Sequence, residues 1–207
     1  MLNTIVFIFI TMVAFAIIHS LTADARFKAW VAATFGQRAY EGWYRLIYNA
    51  LSFVMIMPIT AYVFLGGDVL FQPSDSLRPI FLILQAIGLA GAGLSLLQID
   101  LLRFAGLKQV YAWATGKALP LAAEKLQTDG IYRYVRHPLY LFSLMILWTT
   151  VPMTDRIFVY NMAATLYFFI GGLWLEEKRM LHFYGDDYAS YRERVPALVP
   201  FTKRLHF

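Results

Sequence analysis

Apolar residues in this chain fall into five blocks separated by polar segments. The blocks cover residues 2–18, 46–65, 80–99, 139–151 and 157–175. Blocks of this kind are typical of helices that cross a hydrocarbon core about 30 Å thick, which takes roughly 20 residues. The fourth block is short, and residues 153–156 alone separate it from the fifth. We therefore expect the fourth and fifth helices to form a tight antiparallel hairpin.

Composition indicates the same class of protein. With 59% hydrophobic and 15% charged residues, the chain has too little polar surface to cover a water-soluble globule. We predict an all-α polytopic membrane protein whose partner is the lipid bilayer. Because no internal repeat or flexible linker divides the chain, we predict one membrane domain over residues 1–207. Its parts are three transmembrane helices (1–99), a polar connection (100–138), the helical hairpin (139–175) and an amphipathic tail (176–207).

The basic residues predict the orientation in the membrane. Sixteen of the 18 lysines and arginines precede or begin the second helix, lie between the third and fourth, or follow the fifth. Arg78 and Arg156 lie in the two alternate connections. With five spans the sixteen share one side, which the positive-inside rule makes cytoplasmic, so the amino terminus is outside and the carboxyl terminus is inside. The net charge of +5 is then a topology signal, and no nucleic-acid partner is expected.

The tail carries an apolar stripe with helical spacing. Met180, Tyr184, Tyr188 and Tyr191 recur at steps of four, four and three, with charged residues between them. This pattern predicts an amphipathic helix over residues 176–195, interrupted near Gly185.

The second helix begins with polar residues, and the third helix is rich in small ones. Tyr48 and Asn49, near the start of the second helix, predict one of two roles: interfacial anchoring with an interhelical hydrogen bond, or the wall of a substrate pocket, in which case they are substrate contacts. The third helix has small residues that favour close packing of two helices. They are Ala86, Gly88, Ala90, Gly91, Ala92 and Gly93.

Two segments, residues 126–140 and 176–179, crowd ionisable and aromatic side chains at the same ends of the predicted hairpin. The hairpin brings Arg136, His137 and Tyr140 beside Glu176 and Glu177. Such a cluster offers an arginine and a histidine for a carboxylate, carboxylates for an ammonium or sulfonium, and tyrosine rings for a cation or a purine. Two interpretations stay open: a pocket for an amino-acid-like cofactor joined to adenosine, or ion pairs that fix two helix ends at the interface. The absence of cysteine excludes a thiolate metal site and a cysteine nucleophile, and no metal is expected.

Several motifs in this region occur in a fixed order. They are Leu-x-Thr-x-Gly-x-Tyr from Leu126, Arg-His-Pro-x-Tyr from Arg136, Glu176-Glu177, Tyr-Gly-Asp-Asp-Tyr from Tyr184, and Tyr-Arg-x-Arg-Val-Pro from Tyr191. Over residues 124–200 the chain resembles the membrane methyltransferases related to isoprenylcysteine carboxyl methyltransferase. Residues 102–110, together with His19 and Ser20, are similar to the bacterial methanethiol S-methyltransferases.

The resemblance implies an S-adenosylmethionine cofactor bound at the cytoplasmic face of a bacterial inner membrane protein. The residues it implies for cofactor binding are Glu124, Lys125, Leu126, Gln127, Tyr132, His137, Pro138, Leu139, Tyr140 and Glu176, to which the hairpin argument adds Arg136 and Glu177. Where isoprenylcysteine enzymes carry an arginine thought to meet the substrate, this chain has Gly172. That difference disfavours a prenylcysteine carboxylate as the acceptor.

The implied reaction is an in-line methyl transfer to a small or lipophilic thiol. It requires alignment of donor and acceptor and exclusion of water, but no protein nucleophile, and we assign no catalytic residue or general base. The alternatives are a carboxyl or lipid-amine methyltransferase of the same fold, an NADPH-dependent enzyme of the sterol-reductase kind, and a non-enzymatic membrane scaffold. The reductases typically have asparagine where Leu139 stands.

Overall fold

The computed structural model describes residues 2–202 and forms two compact units. The larger unit comprises Gly66–Ile99 and the chain from Lys125 onward, and the smaller unit comprises Leu2–Leu65 and Asp100–Glu124. Lys203 and Arg204, two of the predicted cytoplasmic charges, and the end of the predicted tail lie outside the described residues. The helices are α1 (Leu2–Ala23), α2 (Ala25–Phe35), α3 (Gln37–Phe64), α4 (Arg78–Leu97), α5 (Leu101–Ala105), α6 (Leu107–Ala114), a 3-10 turn (Gly130–Arg133), α7 (Pro138–Thr149), α8 (Asp155–Tyr167), a π-helix (Phe168–Glu176), α9 (Glu177–Tyr184) and α10 (Asp186–Arg194).

The predicted all-α membrane class is confirmed. In the described part of the chain, four helices are long and apolar enough to cross a bilayer: α1, α3, α4 and the continuous helix from Asp155 to Tyr184. The remaining apolar block forms α7, which has 12 residues and rises about 18 Å, less than the thickness of a hydrocarbon core. All five predicted blocks are therefore helical, and the fourth is the short one.

In the smaller unit, polar and aromatic contacts join α1 to α3. Phe7 packs edge-to-face on Tyr62, while His19 near the other end of α1 bonds to Tyr48 and Ser52. Because early residues of α1 meet late residues of α3, the two helices run antiparallel. Glycine allows the short helices to approach α3, since a side chain at Gly106 would overlap the backbone of Leu46.

In the larger unit, α4 packs against α7 through glycines. A Cβ at Gly88 would lie 2.9 Å from Cγ1 of Ile146, and one at Gly91 would overlap the ring of Phe142. These two positions therefore confirm the packing role predicted for the small residues of this helix. Gly93 differs, because its missing Cβ would meet no atom within 4 Å among the described residues.

One end of the larger unit is closed by the connections that precede α4 and α8. Two brief antiparallel strands, β1 (Val69–Phe71) and β2 (Met153–Thr154), pair there. The amide of Asp68 donates to Oδ1 of Asp155 at 3.0 Å, and Thr154 caps α8 by accepting a bond from the amide of Ile157 at 3.2 Å. The connections before α4 and before α8 thus lie together, as the five-span prediction requires.

The opposite end of the unit carries the tail. The helix that starts at Asp155 widens into a π-helix over Phe168–Glu176 and continues as α9. Gly185, with φ at 55°, then separates α9 from α10. The predicted interruption of the amphipathic helix at Gly185 is confirmed. Its apolar stripe faces protein, because Tyr188, Tyr191 and Val195 form a buried cluster with Met180 and Tyr184 packed against it.

The α4–α7 contact gives a matched test of packing. We expect Gly91→Ala to lower the stability of the detergent-solubilised protein by about 1–3 kcal/mol, because the new methyl group overlaps Phe142. Gly93→Ala, with open space at the same helix, should leave the thermal unfolding midpoint unchanged or slightly raised. Equal midpoints for the two variants would show that the helices do not pack in this register.

Candidate active site

The hairpin ends carry a carboxylate, Glu176, bonded to a tyrosine. The hydroxyl of Tyr140, in the first turn of α7, donates to Oε2 of Glu176, the last residue of the π-helix. The ring of Tyr140 stacks between His137 and Phe168 at centroid distances of 5.3 and 4.9 Å. π-Helical turns are uncommon and frequently mark functional sites. The predicted approach of Tyr140 to Glu176 is confirmed.

Gly172 makes this position of Tyr140 possible. Gly172 is buried one turn before Glu176, and a Cβ there would overlap the Tyr140 ring. Its neighbour Gly171 faces a different direction, where a Cβ would lie 3.8 Å from the ring of Tyr167. The ring of Tyr140 therefore fills the space that a side chain at position 172 would occupy.

Glu177, the second glutamate, is the centre of a separate buried network. Its Oε1 accepts three bonds, from Nε of Arg136 at 2.8 Å, Nε2 of His137 at 2.7 Å and the hydroxyl of Tyr188 at 2.9 Å. The side chains of Arg136, His137 and Glu177 are only 1%, 6% and 5% exposed. Burial, and then the Glu177 carboxylate, raises the pKa of Tyr188, so its phenol stays protonated and donates. The predicted approach of Arg136 and His137 to the twin glutamates is confirmed, with Glu177 as their partner.

The tail attaches to the start of α7 through backbone bonds. The amide of Arg136 donates to the carbonyl of Pro196 at 2.9 Å, and that of His137 donates to Ala197 at 3.0 Å. Nη1 of Arg136 donates to the carbonyl of Val195 at 2.5 Å and to that of Arg192 at 3.1 Å. The segment before α7 is thus fixed by residues about 60 positions later in the chain.

Arg136 also has an unsatisfied donor. Its Nη2 is buried and has no hydrogen-bond partner among the residues that the structure describes. A buried guanidinium N–H without an acceptor is costly, and an anionic ligand would satisfy it.

The 3-10 turn before α7 adds a third tyrosine. The hydroxyl of Tyr132 donates to the carbonyl of Ser95 at 3.3 Å, and the amide of Ile131 donates to Gln98 at 2.9 Å, so the turn is fixed to the end of α4. Burial, and then the Glu176 carboxylate, raises the pKa of Tyr132. Glu176 therefore acts electrostatically on Tyr132 as well as on Tyr140.

The other predicted site residues have different surroundings. Lys125 is exposed, Gln127 bonds locally to the carbonyl of Asp129, and Leu126 packs on the buried tail cluster. Pro138 is buried at the first position of α7, where its missing N–H leaves no helical bond unmade, and Leu139 follows it half-buried. Their role in cofactor binding stays a prediction.

Three predicted residues belong to the smaller unit. Glu124 pairs there with Arg103 and, at 3.9 Å, with Arg45. The hydroxyl of Tyr48 bonds to Nε2 of His19 at 2.6 Å, and the amide of Asn49 donates to the carbonyl of Phe104 at 2.7 Å. The interhelical hydrogen bond that was one of the two interpretations of Tyr48 and Asn49 is present. A substrate role for them stays a prediction.

The sequence analysis did not predict that Tyr188 donates a hydrogen bond to Glu177. The signal was present, because Tyr188 lies on the apolar stripe of the tail and within the Tyr-Gly-Asp-Asp-Tyr motif. A stripe residue predicts burial but does not indicate which polar group its hydroxyl will contact.

Comparisons with known proteins find methyltransferases. A family model described as phospholipid methyltransferase matches residues 87–187. The methanethiol S-methyltransferase of Crocosphaera subtropica is 31% identical over 192 residues, which are 90% of this chain and 71% of that protein. The enzyme of the same name from Mycobacterium tuberculosis is 30% identical over 190 residues, 92% of this chain and 75% of the relative. Human protein-S-isoprenylcysteine O-methyltransferase is 35% identical over 80 residues, 38% of this chain and 28% of the relative. No solved structure gives a significant match.

The buried network predicts a large effect of one glutamate on stability. We expect Glu177→Gln to destabilise the detergent-solubilised protein by about 3–5 kcal/mol, because Arg136 loses its buried counter-charge. Glu193→Gln, at an exposed position of α10, is the matched control and should change stability by less than about 0.5 kcal/mol. Thermal unfolding measures both variants, and a Glu177→Gln midpoint equal to that of wild type would contradict the network.

Proposed function

Because this chain belongs to the family of membrane methyltransferases that includes the methanethiol S-methyltransferases, we propose that it transfers a methyl group from S-adenosylmethionine to a small or lipophilic thiol. The observation that carries the proposal is the presence, at one end of one helical hairpin, of a tyrosine-bonded carboxylate and a buried guanidinium N–H without an acceptor. The donor carries both complementary charges, a cationic sulfonium and ammonium and an anionic carboxylate.

Glu176 suits the cationic part of the donor. Its carboxylate is half-buried and bonded to the phenol of Tyr140, and it raises the pKa of Tyr132. A carboxylate among aromatic rings attracts a cation both by its charge and by the ring quadrupoles. In this proposal Glu176, Tyr132 and Tyr140 bind the sulfonium side of the donor.

Arg136 suits the donor carboxylate. Its Nε and Nη1 are used by Glu177 and by tail carbonyls, which fixes the guanidinium plane. The remaining Nη2 would donate one charge-assisted bond to a carboxylate oxygen once the surrounding side chains opened to admit it, because the Arg136 side chain is only 1% exposed. This division of roles assigns His137 and Glu177 to positioning Arg136 rather than to direct contact with the donor.

The bound donor supplies an activated methyl group, and the chain supplies position and environment. A displacement of this type needs the two reactants aligned and water excluded. The stack of His137, Tyr140 and Phe168 fixes the orientation of Glu176, and the buried Tyr188 fixes the adjacent Glu177 by a hydrogen bond. No covalent enzyme intermediate is required, which agrees with a chain that has no cysteine.

The acceptor and the orientation complete the proposal. Gly172 offers no cation for an acceptor carboxylate, which favours a neutral thiol. A site within a membrane-spanning protein also admits apolar acceptors directly from the bilayer. We place the site on the cytoplasmic face of a bacterial inner membrane, the side that the basic residues indicate, and treat residues 1–207 as one membrane methyltransferase domain.

Donor binding tests the site through the two adjacent glycines. Calorimetric titration of the detergent-purified protein should show a heat of binding with S-adenosylmethionine and with S-adenosylhomocysteine. It should show no heat of binding with NADPH. Gly172→Ala should weaken donor affinity about tenfold or more, because displacing Tyr140 by even 1 Å frees Glu176. Gly171→Ala, whose Cβ makes an ordinary contact, should bind as wild type does. Binding of NADPH alone would instead indicate a reductase, and binding of none of the three would favour a scaffold.

The acceptor class is tested by a screen with radiolabelled methyl donor. Short and long alkanethiols, a prenylcysteine analogue and phosphatidylethanolamine are offered in parallel to the protein in detergent and in vesicles. We expect label in the organic-soluble thioether products of the thiols. Label in the carboxyl ester or in the lipid amine, with none in thioethers, would replace the thiol assignment by one of the other two acceptors.

A further inference from the structure

Methylation of a thiol releases one proton, and the hairpin contains several groups that could accept it. They differ in how fully they are already bonded. His137 is buried, and its Nε2 proton is bonded to Glu177. Glu177 is buried as well and accepts three donors on one oxygen. Asp129 is highly exposed and pairs with Arg133 at 3.6 Å. None of these three is suited to receive a proton from a bound acceptor.

Glu176 is different, since it is half-buried and accepts, from the residues that the structure describes, a single hydrogen bond, from the Tyr140 hydroxyl to Oε2. We propose that Glu176 is the catalytic proton acceptor of the reaction, in addition to pairing with the cationic donor. This inference rests on the proposed function, because it needs a thiol acceptor and a sulfonium donor at this site.

The physical reason is a change of charge during methyl transfer. Before the reaction the carboxylate is balanced by the sulfonium. The acceptor S–H bond and the donor's carbon–sulfonium bond break, a new carbon–sulfur bond forms, and the proton goes to a Glu176 oxygen. The electron pair of the broken carbon–sulfonium bond stays on the donor sulfur, which becomes neutral. A half-buried carboxylate left without its cation is unfavourable, and the proton removes that charge.

Tyr140 adjusts this step without being its base. Its hydroxyl donates to Oε2, which leaves the other oxygen of the carboxylate to meet the acceptor. The stack with His137 and Phe168 fixes the phenol, so the free oxygen keeps one orientation. Glu176 therefore has one carboxylate oxygen available to accept a proton, in a fixed orientation, and its carboxylate does not rotate freely.

The test compares two acceptors of different acidity in Glu176→Gln. Glutamine keeps the shape and can still accept the Tyr140 bond, but it cannot take a proton. With an alkanethiol, which is protonated at neutral pH, turnover should fall about 100-fold or more. With 4-nitrothiophenol, which is already ionised, the loss should be less than about tenfold. Glu176→Asp, which retains a carboxylate, should recover part of the alkanethiol turnover.

A binding measurement provides a readout that does not depend on turnover. Wild type should prefer S-adenosylmethionine over S-adenosylhomocysteine, which lacks the sulfonium charge, and Glu176→Gln should lose most of that preference while still binding both. Equal turnover losses with the two thiols, or an unchanged preference between the two nucleosides, would overturn the inference. If wild type itself methylates no thiol, the proposed function fails and this inference with it. A selective failure of the acidity comparison would overturn the inference alone.

Discussion

The site depends on one buried carboxylate and the donors gathered around it. Glu177 accepts bonds from Arg136, His137 and Tyr188, which come from the start of α7 and from α10. Removing two unlike charges from water is unfavourable unless the pair is well satisfied by further hydrogen bonds. Glu177 meets that condition because it accepts three hydrogen bonds. Backbone hydrogen bonds from Arg136 to Pro196 and from His137 to Ala197 then connect the network to the tail. The hairpin ends are therefore closed by a segment from the end of the chain.

That closure explains how two adjacent glutamates acquire different environments. Glu177 lies in the buried network, whereas Glu176 meets Tyr140 and is half-buried. The glycine at position 172 lets Tyr140 occupy the space of a side chain on the π-helix. The buried network of Glu177 thus lies next to the Glu176 carboxylate, which can still accept further hydrogen bonds. This arrangement is expected of a binding or catalytic site, since supporting residues fix the rotamers of the residues that contact the ligand.

Membership of a methyltransferase family and the local geometry support each other without being the same evidence. The relatives establish the kind of reaction, since two methanethiol S-methyltransferases match 90% and 92% of this chain. The geometry separates residues that bear on a ligand from residues that maintain structure. The motif Arg-His-Pro-x-Tyr followed by Glu-Glu contains residues of both kinds. The presence of the motif alone therefore does not show which of its residues contact a ligand.

The sequence alone determined the membrane class, the five apolar helices, the break at Gly185 and the meeting of Arg136, His137 and Tyr140 with the twin glutamates. These features follow from local rules: apolar length, glycine conformation, and a connection too short to separate two helices. Tertiary structure decided which glutamate binds which partner, the contact of Tyr140 with Gly172 and the bond from Tyr188. Adjacent residues on a helix point about 100° apart, and a π-turn changes that angle. The partner of each side chain therefore depends on residues that are distant in the chain. The spacing of residues within one motif does not predict those contacts.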